Sequence, residues 1–335
     1  MPSNGSTPTE RKINVQNNGR ALKVFSGLSN LPLAEEICGH LDIPLGKSEI
    51  IKFKNGNLFA KIGENVRECD VFVIQTSDSP IHTRIMEMLL MIDALKHASA
   101  ARITAVMPYF PYVRSDKKDQ PRISIAARLM VDLIETAGAD RALVMNLHSF
   151  QVQGFFRIPA DHLLATPVII DYFKSTDLDD TVVIAPDAGS AKRAEKYARL
   201  LNLPLAIVDK RRVGNEDKAV AKRIIGDVKG QRAIIFDDEV STAGSLITAA
   251  EILKDQGITD IRAGVIHPVL CGEAVERIKN SCISELVVTN TIPVGADKLN
   301  EKIKVLSVGK LFAKAIRRIH NGESVSVLFS PFEEF

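Results

Sequence analysis

Short apolar runs, too brief for a helix and bounded by polar turns, alternate along this chain with stretches in which apolar residues recur three or four apart. The first pattern predicts buried strands and the second amphipathic helices. In the first half, strands are predicted at 22–25, 71–74, 102–107 and 141–147. Helices are predicted at 31–41, 85–95 and 124–136, the last closing at Gly138. Segments 50–53 and 58–62 predict a hairpin around Lys54-Asn55-Gly56-Asn57, because Asn-Gly favours a tight turn. In the second half, strands at 181–185, 205–208, 233–236, 261–266 and 286–288 alternate with helices, followed by a helix at 310–319 and a strand at 325–328. Alternating strand–helix units predict parallel sheets with helices on both faces. A chain of 335 residues also exceeds what one core usually holds. The expected organisation is a polar mobile tail over 1–20 and two tandem α/β domains, 21–160 and 161–335, with the last segment free to pack on either one.

The densest chemistry sits at 233–248. The apolar run Ala233-Ile234-Ile235-Phe236 ends in Asp237 and Asp238, a small-residue turn (Ser241, Thr242, Ala243, Gly244, Ser245) follows, and helical spacing resumes at Leu246. In an open α/β sheet, ligands bind beyond the carboxyl ends of the strands. Main-chain N–H groups in a tight turn at a helix N-terminus bind phosphate, and adjacent carboxylates suit the adjacent hydroxyls of a sugar. The stretch therefore reads as a sugar-phosphate site. The plainer alternative is a solvated strand end with an ordinary helix cap.

This strand, acidic pair and turn resemble the ribose-phosphate signature shared by type I phosphoribosyltransferases and ribose-phosphate pyrophosphokinases, the phosphoribosyl diphosphate (PRPP) synthetases. Those families usually place a third aspartate where Ser241 stands. A second run, Asn146-Leu147-His148-Ser149-Phe150-Gln151-Val152-Gln153-Gly154-Phe155-Phe156, is similar to the metal-binding signature of the synthetases, which the transferases lack. On that resemblance His148 helps to bind Mg–ATP, and Asp187 of Pro186-Asp187-Ala188-Gly189-Ser190 is a second magnesium ligand. Read without it, His148 is an ordinary hydrogen-bonded histidine and Asp187 a helix cap. Asn146 replaces the usual aspartate, removing a negative charge near the metal.

Three further stretches carry the same resemblance. The charged loop from Tyr109 to Arg122 matches the ATP-gripping loop, with Arg114 kept and Ser115 in place of glutamine. Phe53, Asn55 and Asn57 stand where the family reads adenine with a hairpin from a neighbouring subunit, both carboxylates of that hairpin being replaced. Lys210 and Arg212 match the catalytic lysine and arginine of a loop, Arg212 also facing the ribose phosphate. Charge builds on phosphate oxygens during pyrophosphoryl transfer, and such cations stabilise it. The resemblance runs from Leu22 to Ser330. It implies two tandem phosphoribosyltransferase-like domains and transfer of the β,γ-pyrophosphoryl group of Mg–ATP to ribose 5-phosphate, giving PRPP and AMP. Mg2+ is the implied cofactor and a homo-oligomer, a hexamer, the implied assembly. A non-catalytic regulatory member is the alternative, because of the replaced positions; a type I phosphoribosyltransferase is the more distant one.

Composition narrows the remaining classes. The formal charge is +2 and no basic stripe occurs, which argues against nucleic acid as a partner. The four cysteines (Cys38, Cys69, Cys271, Cys282) have no zinc or redox spacing, and suit buried thiols in a reducing cytoplasm. No signal peptide or membrane span is evident. Gly46-Lys47-Ser48 imitates the end of a P-loop, but Leu41 stands where the first glycine belongs.

Overall fold

Two parallel-stranded sheets face each other across a shared layer of helices. The computed structural model describes residues 19–212, 220–228 and 232–328, with the backbone alone at 209–212 and 220–223. The first half runs β1 (Leu22–Ser26), α1 (Leu31–Leu41), β2 (Ser48–Lys52), β3 (Leu58–Ile62), β4 (Asp70–Ile74), α2 (Ile81–His97), β5 (Arg102–Met107), α3 (Ala126–Ala137), β6 (Arg141–Met145) and β7 (Ala160–Leu163). The second runs α4 (Thr166–Lys174), β8 (Thr181–Ala185), α5 (Ala191–Leu201), β9 (Leu205–Arg212), β10 (Val220–Ile225), β11 (Arg232–Val240), α6 (Gly244–Asp255), β12 (Asp260–Pro268), α7 (Ala274–Lys279), β13 (Ile283–Thr289), β14 (Ile303–Leu306) and α8 (Gly309–His320).

The first sheet has the order β1-β4-β5-β6-β7, the second β10-β9-β8-β11-β12-β13-β14. All pairings are parallel except β9 with β10 and the separate hairpin of β2 and β3. The strand order decides where a ligand fits. In the first sheet each new strand is added on the same side, so the order never reverses. In the second, β8 leads through α5 to β9 on one side, and β11 leads through α6 to β12 on the other. The order therefore reverses between β8 and β11, and the helices diverge there to leave a crevice beyond the strand ends.

One continuous core lies between the sheets. It joins Val24, Phe72 and Leu143 of the first to Val183, Ile234 and Phe236 of the second through α1, α4, α5 and α8. Helix α5 shows why: Ala194, Tyr197, Ala198 and Leu201 recur at helical spacing and are buried, and the Tyr197 ring stacks on Phe236 at 4.1 Å. Gly264 of β12 completes this packing, since a Cβ there would lie 2.7 Å from Phe236 and 2.8 Å from Phe173. The outer faces are covered separately, by α2, α3 and the hairpin on the first sheet and by α6 and α7 on the second.

Several expectations are corrected. Residues 325–328 hold no strand; Ser326–Leu328 is a 3-10 turn. The strand expected at 205–208 is longer, since β9 continues to Arg212 and pairs antiparallel with β10, so Lys210 and Arg212 lie on a strand and not in a loop. The hairpin strands sit earlier than 50–53 implies, at Ser48–Lys52. The ordered turn before α6 is shorter, Gly244 and Ser245 lying already in the helix. Strand β7 runs to Leu163 and pairs with β6, so the first sheet extends past residue 160. No described helix is long and apolar enough to cross a membrane.

Helix α8, the last α-helix among the described residues, packs on α1 of the first half and is pinned by polar contacts. Arg102 grips Asp70 with two bonds of 2.7 and 2.6 Å and donates to the Ile319 carbonyl, while His320 Nδ1 lies 2.8 Å from the same carboxylate. Burial raises the Asp70 carboxyl, but the bonds from His320 and Arg102 outweigh it and hold it below the usual carboxylate range. A depressed carboxylate stabilises the fold above its unfolded value, about 3.9, and that contribution disappears as pH falls through the folded value. Asp70→Asn is expected to lower unfolding free energy by about 3 kcal/mol at neutral pH, Arg102 and His320 losing their shared partner. Urea titration should show the gap from wild type closing as pH drops below about 4.

Candidate functional site

Three consecutive carboxylates, Asp237, Asp238 and Glu239, end β11 at the crevice between β8 and β11. Each is met by a basic side chain from another element. Arg193 of α5 reaches both aspartates, Nη1 lying 3.1 Å from Asp237 Oδ1 and 2.7 Å from Asp238 Oδ1. His148, beyond β6 in the first half, places Nδ1 against Asp238 Oδ2. Arg114, beyond β5, donates to Glu239 Oε1 at 3.0 Å, and the Tyr109 hydroxyl donates to Glu239 Oε2 at 3.2 Å. The site thus joins the two halves.

Burial raises the Asp237 carboxyl, and the neighbouring Asp238 raises it further, to about 7, against the pull of Arg193. Asp238 is also pushed up by burial, yet the bond from His148 and the charge of Arg193 together hold it far below the usual carboxylate range. The bond to Asp238 in turn raises the His148 imidazole. Two buried carboxylates sharing one guanidinium favour a single proton between them, so the pair is set to accept hydrogen bonds without carrying its full charge.

The phosphate-binding candidates follow at once. Ser241 and Thr242 lead into Ala243, which holds φ +63 immediately before α6. A side-chain-bearing residue in the left-handed region costs about 1 kcal/mol, and here it makes the tight turn into α6, whose first amides have no partner inside the helix. The β12–α7 connection braces this turn: Cys271 N donates to Ser241 O at 3.1 Å, the Ser241 and Cys271 side chains meet at 3.2 Å, and Arg277 donates to Thr242 O at 3.4 Å.

Asp187 stands beyond β8, across the crevice. Its Oδ1 accepts from Ser190 N at 2.8 Å, in a reciprocal capping box. The helix-cap reading therefore accounts for one oxygen, and the exposed carboxylate keeps the other. Among the described residues no group of three His, Cys, Asp or Glu side chains is arranged to hold a metal ion. Magnesium keeps few protein ligands and takes the rest from water and phosphate, and Asp187 with His148 suits that mode. The Asp238–His148 pair is moreover the kind of carboxylate support that orients a metal-binding imidazole.

Other candidates are placed differently. Asn146 does not face the crevice with its side chain; its Oδ1 accepts from Ala165 N at 2.7 Å and ties β6 to the start of α4. The Ser115 hydroxyl donates to Ser124 O and accepts from Ala126 N, which closes the loop onto α3. Phe53, Asn55 and Asn57 form the hairpin tip, with Asn55 Oδ1 accepting from Asn57 N at 3.1 Å. That hairpin connects the end of α1 to the start of β4, so it leaves from the amino ends of the strands, opposite the crevice. The backbone of β9 carries Lys210 and Arg212 past its pairing with β8, on the side of Asp187. Their side chains lie outside the described residues.

Sequence reasoning passed over Arg193, His162, His267, Tyr109 and Glu239. Burial pushes both histidines down to about 4, so they are neutral. His162 Nε2 accepts from Leu147 N at 3.0 Å, and His267 Nε2 donates to Asn146 O at 3.1 Å. They clamp the backbone that presents His148. The nearest signal in the sequence was position, since His267 and Glu239 both stand at strand ends. Arg193→Met is expected to cost about 3 kcal/mol by leaving two buried carboxylates uncompensated. Adding Asp237→Asn should recover part of the loss, as chemical denaturation of the three variants would show.

Comparison with known proteins now names the architecture. Residues 22–138 match the N-terminal domain of ribose phosphate pyrophosphokinase, and residues 216–330 match the phosphoribosyl synthetase-associated domain. Ribose-phosphate pyrophosphokinase of Caldanaerobacter subterraneus is 51% identical over 311 residues, covering 92% of this chain and 98% of the relative. The enzyme of Deinococcus radiodurans is 50% identical over 314 residues, with the same coverage of 92% and 98%. The crystal structure of phosphoribosylpyrophosphate synthetase from Mycobacterium smegmatis is similar with a TM-score of 0.86 at 39% identity, covering 90% of this chain and 100% of that one. With half of its residues shared across nearly the full length of such relatives, this chain belongs to the ribose-phosphate pyrophosphokinase family.

Proposed function

We propose that the protein transfers the β,γ-pyrophosphoryl group of Mg–ATP to the anomeric hydroxyl of ribose 5-phosphate, forming 5-phosphoribosyl 1-diphosphate and releasing AMP. The observation that carries the reading is the contact of His148 with Asp238 at the reversal of strand order, where Asp187 also stands beyond β8 and β11 leads into the turn proposed for phosphate.

In this mechanism the turn Ser241-Thr242-Ala243-Gly244-Ser245 holds the 5-phosphate through main-chain amides. Asp237 and Asp238 accept hydrogen bonds from the ribose hydroxyls and fix the ring, with Arg193 keeping the pair from repelling itself. The anomeric oxygen attacks the β-phosphorus in line, its proton leaves to solvent, and the bond from the β-phosphorus to the AMP oxygen breaks. Asp187 and His148 would hold magnesium, which when bound neutralises the triphosphate. Lys210 and Arg212 are assigned to the charge that builds on the transferred oxygens, Arg212 also reaching the sugar phosphate. Arg114 grips the triphosphate and Ser115 keeps its loop closed onto α3.

Because the hairpin leaves from the opposite ends of the strands, Phe53, Asn55 and Asn57 would read the adenine of a neighbouring copy's site. The functional unit is thus a homo-oligomer, a hexamer by family resemblance. The reading places it in the cytoplasm, where its four free cysteines stay thiols.

Lys210→Ala is expected to lower AMP release from ATP and ribose 5-phosphate at least about 100-fold, the order of one lost transition-state donor, with an unchanged thermal midpoint. Undiminished turnover would overturn the assignment. Wild type that makes nucleotide from PRPP and a base would be a phosphoribosyltransferase. Wild type that binds both substrates and releases nothing would be a regulatory member.

A further inference from the structure

The third carboxylate of the row, Glu239, has no part in holding sugar, metal or phosphate in this scheme. Its side chain is nonetheless 8% exposed, with both oxygens engaged by residues of the other half, Tyr109 and Arg114. Burial first, and then the charge of Glu239, hold the Tyr109 phenol above its ordinary range, so it stays a donor. Tyr109 is itself fixed, its ring 5.0 Å from His267 and its carbonyl accepting from Ser77 N at 3.2 Å. Arg114 is bound to Glu239 through Nη1, while its side chain is 65% exposed. A guanidinium is a planar fork with five N–H donors. Glu239 therefore holds one corner and leaves the outer edge to an anion in the crevice.

We infer that Glu239 is a positioning residue that aims the Arg114 guanidinium at the triphosphate from the strand that also carries the sugar-binding aspartates. The inference rests on the proposed role of Arg114 toward ATP. Strand β11 then sets both substrates: Asp237 and Asp238 fix the ribose, and the next residue fixes the cation that meets the nucleotide. With Ser115 turned back to Ser124 and Ala126, Arg114 is the member of its pair that can be aimed at phosphate, and Glu239 keeps its flexible side chain from spending most of its time in water.

The test compares wild type with Glu239→Gln, Arg114→Met, Tyr109→Phe and the Glu239→Gln/Arg114→Met double variant, by calorimetric ATP binding and by AMP-release kinetics. Glu239→Gln, of the same size, is expected to raise Kd and KM for ATP about five- to tenfold, in the range of one net hydrogen bond. The KM for ribose 5-phosphate should move less than about twofold, since that site keeps its own ligands. Tyr109→Phe should give a smaller loss in the same direction, and the double variant should be no worse than Arg114→Met alone. Equal losses for both substrates would make Glu239 a merely structural residue and overturn the inference. Tighter ATP binding in Glu239→Gln would show the carboxylate competing for Arg114, and additive losses in the double variant would show independent action; either overturns it. If wild type binds ATP with this dependence but releases no AMP, the functional reading fails and the positioning role stands.

Discussion

Three carboxylates in a row at the end of a buried strand are the constraint around which this molecule is arranged. Taking even one carboxylate out of water costs several kcal/mol unless a partner compensates it, and β11 buries most of three side by side. The strand cannot supply the compensation itself. The partners come from α5 (Arg193), from beyond β6 (His148) and from beyond β5 (Arg114), so the strand end forms only if both halves are assembled in register. The polar groups of the candidate site are in this sense also the groups that dock the halves, and the apolar layer between the sheets is what holds them within reach.

That arrangement explains a division of labour between sheets of similar construction. The second sheet reverses its strand order and owns the crevice; the first never reverses and has no such crevice. The first instead contributes single residues from its strand ends across the interface, and their backbones are locked by neutral histidines. His162 takes the Leu147 N–H and His267 holds the Asn146 carbonyl, so the turn carrying His148 is fixed from both halves. Preorganisation of this kind matters for a reaction in which the protein aligns two polyanions and offers charge to the oxygens between them.

Much of the fold was legible because buried strands in parallel sheets are nearly all apolar, and the central strands read directly: 71–74, 102–107, 181–185 and 233–236 each fall within or match an observed strand. The strands that went unread, β7, β10 and β14, are all at sheet edges. An edge strand has one neighbour and a wetter environment, so Ala160–Leu163 carries Asp161 and His162 and shows no apolar run. Helix α4 was also passed over, although Thr166, Ile169, Ile170 and Phe173 have the helical spacing and are buried. At the site, Asp237, Asp238, Asp187 and His148 were proposed from the sequence because each lies in a short local run at a strand end. Arg193 and Glu239 were not, because their meaning is a contact with residues 44 and 125 positions away.

The replaced positions bear on whether this member is active, and the structure gives most of them a different weight from the one the sequence suggested. Asn146 lacks the charge of an aspartate, but its oxygen accepts the Ala165 N–H, a bond that either residue makes. Ser241 loses a carboxylate from the phosphate turn, where a negative charge would oppose the incoming phosphate; in its place stands a hydroxyl braced by Cys271. Asn55 keeps the hairpin tip closed by accepting from Asn57 N, a contact that an aspartate would make equally well. Where charge is absent at one place it is present at another, for Glu239 adds a carboxylate one residue beyond the aspartate pair and commits it to Arg114. The departures therefore bear on the bracing of loops, while the aspartate pair, its guanidinium and the histidine bonded to it remain together.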